Sequence, residues 1–376
     1  MLTTAITFFI ILAVLILVHE LGHFTAARIF KVRAEEFGFG LPPRIFGFVK
    51  VNGKWKYLGR KEDSENYDNT VWSINWLPLG GFVKIKGEDE NALNEEGSLA
   101  SRPPWQRFII MFAGVFMNFI LSFVILSIAF MAGIPSLVDD DPDPDLNAKN
   151  EQIQIMSISP DSPIDKAEIK VGDVILSINN EKIGSVSQVQ DITSVSKDIP
   201  LEFVFRRGSE EIAKTITPLS GSELQKGEIG VGLVKTATVK YPWYEAIYKG
   251  AETTVSLTFE ILKAFGKIIG DLFTGQKVGV EVAGPVGIAV LTGQVITLGF
   301  IYVLQFAALL SINLAIINLL PIPALDGGRL LFIIIEKIKG SPVKQATEAR
   351  FHQVGFILLM ILMALIVFRD IKIHLF

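Results

Sequence analysis

The chain has 376 residues, 50% of them hydrophobic, and its formal net charge at pH 7 is −4. So small a charge bias gives no support for a nucleic-acid partner. Because the chain contains no cysteine, disulfides and thiolate metal sites are excluded, and any zinc would have to be held by His, Asp or Glu.

The hydrophobic residues are clustered, and long apolar runs alternate with polar stretches. This layout is typical of a multi-pass membrane protein with at least one soluble domain. The first run, from Ala5 to Ala27, would be about 34 Å long as a helix, which is enough to cross the hydrocarbon. No Lys or Arg opens it as in a signal peptide, so residues 1–30 are predicted to form a retained transmembrane helix.

Three titratable side chains interrupt this run, namely His19, Glu20 and His23. An ionisable group at hydrocarbon depth costs roughly 2.5 to 3.5 kcal/mol of insertion free energy. The presence of three such groups therefore indicates a functional site. In His-Glu-x-x-His the histidines are four residues apart on one helix face and can bind zinc, while the glutamate acts as general base toward water. The alternative is a helix with two buried, hydrogen-bonded histidines.

Basic residues follow the first run at Arg28, Lys31 and Arg33, which places the N-terminus outside and residue 31 in the cytoplasm. Residues 31–104 are predicted to be a β region, because Val32 to Lys86 consist of short pieces with alternating aromatic and β-branched residues, separated by Gly and Pro. This pattern predicts strands and turns. Their hydrophobicity favours a membrane-associated β-hairpin beside the active site. The alternative is an ordinary cytoplasmic β-loop.

Residues 105–134 are predicted to form a second transmembrane helix, and the acidic linker 135–149 would follow it on the outside. Gly114 and Asn118 lie four residues apart on this helix, so they allow close approach and offer one amide at depth. Plain helix packing is the alternative for this pair.

Residues 150–222 are predicted to be a soluble module. Ser159-Pro-Asp-Ser-Pro and Gly172-Asp-Val-Ile resemble the signature of a bacterial PDZ domain, although Ala167-Glu-Ile stands where that signature has Ala-Gly-Leu. The resemblance implies an α+β domain that binds an extended peptide by adding it as a strand. The alternative is a small β-rich spacer without a ligand.

Residues 223–298 are predicted to form an amphipathic region on the outer membrane surface, because apolar residues recur at helical intervals from Tyr241 to Phe273. A third transmembrane segment, residues 299–335, contains Asn318 and is broken by Pro321 and Pro323. Asp326 is the only acid between Phe300 and Arg329, so it is predicted to be the third zinc ligand. A helix cap is the alternative role for Asp326.

Basic residues place residues 336–350 in the cytoplasm, namely Lys337, Lys339, Lys344 and Arg350. Residues 351–369 are predicted to form a fourth transmembrane helix that ends outside. Arg369 and Lys372, at that outer end, run against the charge rule.

Five motifs together resemble the site-2 protease family of intramembrane zinc metalloproteases, in its bacterial regulator-of-sigma-E type. They are the His19-Glu-x-x-His motif, Gly114-x-x-x-Asn, the PDZ-like module, Gly284-Pro-Val-Gly-Ile, and Asn318-x-x-Pro-x-Pro-x-Leu-Asp-Gly. The resemblance implies one zinc held by His19, His23 and Asp326, with Glu20 as the catalytic base. Asn318, together with Asn118, is expected to contact the substrate.

The resemblance also implies cleavage of a transmembrane substrate that another protease has already trimmed, for example to release a membrane-held anti-sigma factor. The bacterial inner membrane is the expected location, with the PDZ-like module on the periplasmic side and the active site in the membrane near the cytoplasmic face. The predicted fold is a multi-pass α-helical membrane protein with about four transmembrane helices, a membrane-associated β-hairpin region and one inserted PDZ-like α+β domain. Alternatives are a membrane-anchored PDZ scaffold without catalysis, and an ion-coupled transporter that uses His19, Glu20 and Asp326.

Overall fold

A computed structural model describes residues 2–88, 95–138, 148–208, 210–219, 229–274, 284–341, 343 and 345–375. The chain forms two compact units. The first comprises Met1–Leu126, Ala251–Gly293 and Gln305–Phe376, and the second comprises Ser127–Gly250 and Gln294–Leu304.

Among the described residues, all the strands lie in the first two thirds of the chain, and only helices follow Val239. In chain order the helices and strands are α1 (Leu2–Ile29), β1 (Ala34–Val51), β2 (Lys54–Leu58), β3 (Val71–Ile85), α2 (Pro104–Ala132), β4 (Ile134–Leu137), β5 (Ala148–Ile158), α3 (Pro163–Lys166), β6 (Val174–Ile178), β7 (Glu181–Lys182), α4 (Val186–Val195), β8 (Leu201–Arg207), β9 (Glu210–Ile216), β10 (Val231–Val239), α5 (Trp243–Thr274), α6 (Pro285–Leu298), α7 (Phe300–Leu319), α8 (Asp326–Lys339) and α9 (Gln345–Leu375).

Four helices in the described part of the chain are long and apolar enough to cross a membrane, namely Leu2–Ile29, Pro104–Ala132, Phe300–Leu319 and Ala346–Lys372. They support the predicted multi-pass membrane protein. The predicted third segment, residues 299–335, consists of two helices, because α7 ends at Leu319 and α8 begins at Asp326. With 14 residues, α8 is about 21 Å long and therefore too short to span the hydrocarbon.

The strands of the first unit form an antiparallel sheet in the order β2-β1-β3, which is one strand more than a hairpin. The sheet packs closely against α1, since a Cβ on Gly80 would lie 2.4 Å from Cβ of Ile16. Large apolar side chains are exposed on this sheet, among them Trp55, Tyr57 and Trp76. An exposed aromatic surface of this kind suits a membrane interface.

The second unit contains a seven-stranded antiparallel sheet in the order β4-β10-β5-β6-β8-β9, with β7 paired to β6. Its core is filled by large aliphatic and aromatic side chains, including Ile153, Ile175, Phe203 and Phe205. Strand β8 alternates buried and less buried residues, as a strand with one face on a core should. The short helices α3 and α4 begin at serine caps, Ser162 and Ser185.

This sheet extends beyond the predicted module of residues 150–222, because β4 and β10 belong to it. Part of the predicted membrane-surface region, residues 223–298, is therefore wrong, since Val231–Val239 is a strand paired on both sides. Its run of Val and Thr has strand propensity, which a search for helical periodicity does not detect. The rest of that region contains α5 and α6.

Some predicted features lie outside the described residues. They are residues 89–94 of the predicted β region, 139–147 of the acidic linker, 209 and 220–222 of the predicted PDZ-like module, 223–228 and 275–283 of the predicted surface region, and Lys344.

Candidate metal centre

The two histidines of the His-Glu-x-x-His motif lie one turn apart on the same face of α1. Both are buried, and their Nε2 atoms are 3.2 Å apart. The spacing of four residues produces this proximity directly, because a helix advances one turn in 3.6 residues. The motif therefore presents two nitrogen ligands to one point.

Asp326 completes a cluster of three ligand atoms. Its Oδ2 lies 2.9 Å from Nε2 of His19 and 3.2 Å from Nε2 of His23. Among the described residues, these three side chains form the group that could hold a metal ion, with ligand atoms within 4.8 Å of one another. Ligands about 2.05 Å from a tetrahedral zinc are about 3.3 Å apart, so the observed separations and the two-nitrogen, one-oxygen donor set fit zinc.

The loop between α7 and α8 places Asp326 at the first position of α8. Pro321 and Pro323 end α7 because proline lacks an N–H and clashes with the preceding turn. Ala324 has a left-handed backbone, with φ +71°, and its N–H donates to Nδ1 of His352 over 3.0 Å. Gly327 has no room for a side chain, since a Cβ there would lie 2.0 Å from the carbonyl oxygen of Leu320.

Helix α9 supports this loop at Gly355, where an added Cβ would lie 1.8 Å from Cβ of Pro323. We expect Gly355→Ala to displace the loop that carries Asp326 and to lower the free energy of unfolding by about 1–3 kcal/mol, the usual cost of overpacking. Zinc affinity should fall with it, measured by competition with a chelator. Gly266→Ala is the matched control, because nothing lies within 4 Å of a Cβ on this α5 glycine. Equal zinc affinity in the two variants would contradict the proposal that this loop positions Asp326 as a zinc ligand.

Glu20 is half-buried beside the ligand cluster and does not belong to it. Its Oε2 accepts the backbone N–H of Val83, in β3, over 3.1 Å. The packing of the sheet on α1 thus holds one carboxylate oxygen of Glu20, Oε2, through this hydrogen bond. No sequence signal points to Val83, because the contact uses its backbone.

Helix α2 lines the two histidines with three residues at intervals of four. His23 Nδ1 lies 2.8 Å from the carbonyl oxygen of Ile110, and Nδ2 of Asn118 lies 3.2 Å from Nδ1 of His19. Between them, a Cβ on Gly114 would lie 2.2 Å from Nε2 of His23, so only glycine admits the ring. The Gly114 and Asn118 pair therefore shapes the metal centre as well as the helix packing.

The two predicted substrate contacts differ in their surroundings. Asn118 is 0% exposed and its amide faces His19, so a contact with substrate stays a prediction. Asn318, on α7, is half-buried, and its Nδ2 lies 3.5 Å from Nε2 of His19. It lies beside the cluster, and a substrate contact there stays a prediction.

Comparisons with known proteins cover nearly the whole chain. The family model described as peptidase family M50 matches residues 7–362. A putative zinc metalloprotease of Clostridium perfringens is 33% identical over 359 residues, 95% of each chain, and one of Fusobacterium nucleatum is 32% identical over 376 residues, 96% of each chain. The regulator of sigma-W protease RasP of Bacillus subtilis is 30% identical over 450 residues and covers 98% of each chain.

Among solved structures, the PDZ domain of an SdrC-like protein from Listeria monocytogenes matches 23% of this chain and 93% of its own, at 20% identity. The TM-score is 0.21, which is too low to establish a shared fold.

Proposed function

Because the chain belongs to peptidase family M50, the site-2 proteases, we propose that it hydrolyses a peptide bond inside the transmembrane segment of a membrane protein. The chain is a metalloendopeptidase with zinc as its cofactor. The observation that carries the proposal is the cluster of His19, His23 and Asp326, because its two histidines belong to a helix apolar enough to cross a membrane. A second acid, Glu20, lies beside this ligand set and outside it, as a general base would.

The residues that would hold zinc are His19 and His23 through Nε2, and Asp326 through a carboxylate oxygen. When bound, zinc would act as a Lewis acid that polarises the scissile carbonyl and lowers the pKa of water, so that the water becomes a nucleophile near neutral pH. The negative charge of Asp326 also offsets the charge of the metal in this buried place.

Glu20 acts as the general base and then as the general acid. Oε1 takes a proton from the attacking water and delivers it to the nitrogen of the leaving amine. The hydrogen bond from Val83 holds Oε2 and so fixes the direction in which Oε1 points. A general base positioned in this way typically contributes about 100- to 10,000-fold to the rate.

The substrate must lose helical structure before it reacts, because each carbonyl in a helix is already hydrogen-bonded and shielded. Residues 81–85 of β3 pair with only one stretch of β1, whereas residues 72–74 pair with two. Val83 lies in the part that is paired on one side, and it contacts Glu20. An unwound substrate that pairs with β3 would therefore lie beside the catalytic base. The Asn318 amide is close enough to the cluster to bond the same substrate backbone.

Transmembrane peptides that differ only in helix propensity test this proposal. Two Ala→Gly exchanges near the cut destabilise the helix by about 2 kcal/mol, so cleavage should become up to about 30-fold faster. Rates are measured in liposomes with purified protein. The same exchanges in the soluble tail of the peptide are the control, and equal rates across the series would refute a requirement for unwinding.

We also propose an orientation for this inner-membrane protein. The basic residues at the end of α1, after it and at the start of α2, including Arg28, Lys31 and Arg107, favour a cytoplasmic location for residues 31–104. The N-terminus and the PDZ-like module would then be periplasmic, and the metal centre would lie in the membrane near its cytoplasmic face.

The absence of cysteine makes this orientation easy to test by labelling. Lys197→Cys, exposed after α4, should react with a membrane-impermeant maleimide added to spheroplasts, whereas Lys61→Cys should react only after lysis. The reverse pattern would overturn the orientation.

The partners follow from the same proposal. RasP is named regulator of sigma-W protease. For this chain we propose a transmembrane substrate, such as an anti-sigma factor, already trimmed outside by another protease. In the liposome assay a peptide with a short outer tail should be cleaved faster than one with a folded outer domain. Equal cleavage would remove the need for prior trimming.

A further inference from the structure

Each of the two histidines needs a hydrogen-bond acceptor for the N–H at its Nδ1 if it is to bind zinc, and only His23 faces one. To bind zinc through Nε2, each neutral ring must carry its proton on Nδ1, and that N–H needs an acceptor. His23 has the carbonyl oxygen of Ile110, 2.8 Å away. His19 Nδ1 faces Nδ2 of Asn118, 3.2 Å away, which is itself a donor.

In the described part of the chain, the amide oxygen of Asn118 is an acceptor that lacks a donor. Oδ1 of Asn118 is buried and has no hydrogen-bond partner among the described residues. The oxygen and nitrogen of an amide have nearly the same size, so a rotation of about 180° exchanges them without new contacts. After that rotation Oδ1 would accept the N–H at Nδ1 of His19.

In the observed arrangement both hydrogen bonds of the His19 ring pair a donor with an acceptor if the ring proton is on Nε2. Nε2 then donates to Oδ2 of Asp326 over 2.9 Å, and Nδ1 accepts from Asn118. The Asn118 backbone is held separately, because its carbonyl oxygen accepts Oγ of Ser311 over 2.8 Å and both residues are 0% exposed. Exchanging the two amide atoms would leave this backbone contact in place.

We propose that Asn118 is a positioning residue for His19. Its amide oxygen would accept the N–H at Nδ1 of the ring when Nε2 binds zinc. Asn118 therefore sets the tautomer and the orientation of a zinc ligand. The proposal rests on zinc binding by His19, as proposed for the metal centre.

Zinc affinity of the purified full-length protein tests this, measured by competition with a chelator. Asn118→Leu keeps the approximate shape without an acceptor and should weaken binding about 10- to 100-fold, the usual effect of losing an outer-shell partner. Asn118→Asp keeps an acceptor and should bind at least as tightly as the wild type. Ser122→Ala is the matched control: Ser122 is buried one turn further along α2, lacks a partner for Oγ among the described residues, and should leave affinity within about twofold.

Cobalt substitution adds a spectroscopic signature, because the visible absorption of Co²⁺ reports its ligand geometry. The spectrum should change in Asn118→Leu and stay as in the wild type in Asn118→Asp and Ser122→Ala. Wild-type zinc affinity in a folded Asn118→Leu variant would overturn the proposal. If Asn118→Leu fails to fold, weakened binding by Asn118→Asp overturns it equally. A wild type that binds no zinc would instead refute the metal centre itself.

Discussion

Glu20→Gln is expected to abolish peptide cleavage while the protein keeps its zinc. Glutamine cannot take the proton from water, so turnover should fall by at least about 100- to 10,000-fold, the contribution of a general base. Its side-chain oxygen can still accept the N–H of Val83, so the contact that orients Glu20 is preserved. Cleavage of a transmembrane peptide and zinc content by mass spectrometry are measured on the same preparation.

Glu260→Gln is the matched control, because it removes an exposed carboxylate on α5 and should leave cleavage unchanged. A Glu20→Gln variant with wild-type turnover would remove the proposed base. Loss of zinc from it would mean that Glu20 is itself a ligand, contrary to the cluster of His19, His23 and Asp326.

Asp326→Ala is expected to lose both zinc and activity. The wild-type protein should hold about one zinc per chain, since three protein ligands are the usual number at a catalytic zinc. Without the carboxylate, two neutral imidazoles remain in a buried site. The affinity should therefore fall by more than the about 10- to 100-fold that an outer partner contributes.

Asp326 is also the first residue of α8, so a loss of helix stability must be distinguished from a loss of metal. Asp326→Asn, which keeps the shape without the charge, should lose zinc as well. Asp191→Ala, an exposed acid in α4, is the control for general effects of charge removal. Full zinc content and turnover in Asp326→Ala would show that the third ligand is another residue.

The sequence alone identified the three candidate ligands because each breaks a local rule. His19 and His23 are titratable residues in an apolar run, and Asp326 is the lone acid beside a proline-broken helix. Placing an ionisable side chain in a membrane costs free energy, so such residues indicate a functional site. His19 and Asp326 are 307 residues apart in sequence. They were assigned to one site because both suit zinc, and no local pattern connects them.

The sequence did not reveal the surroundings of these side chains. The Ile110 carbonyl and the Val83 N–H are backbone groups, so no residue type marks them. Asn118 was visible as an amide at depth, but the atom it faces depends on how α1 and α2 pack. Strand β10 was missed because sheet pairing, and not local periodicity, determines where its nine residues lie.

The most direct test of intramembrane proteolysis is the position of the cut. Purified protein and a transmembrane peptide are reconstituted together in liposomes, and the products are identified by mass spectrometry with and without a zinc chelator. We expect zinc-dependent cleavage at a bond inside the apolar segment. Cleavage only in the soluble flanks, or cleavage that survives complete removal of zinc, would contradict intramembrane proteolysis by this metal centre.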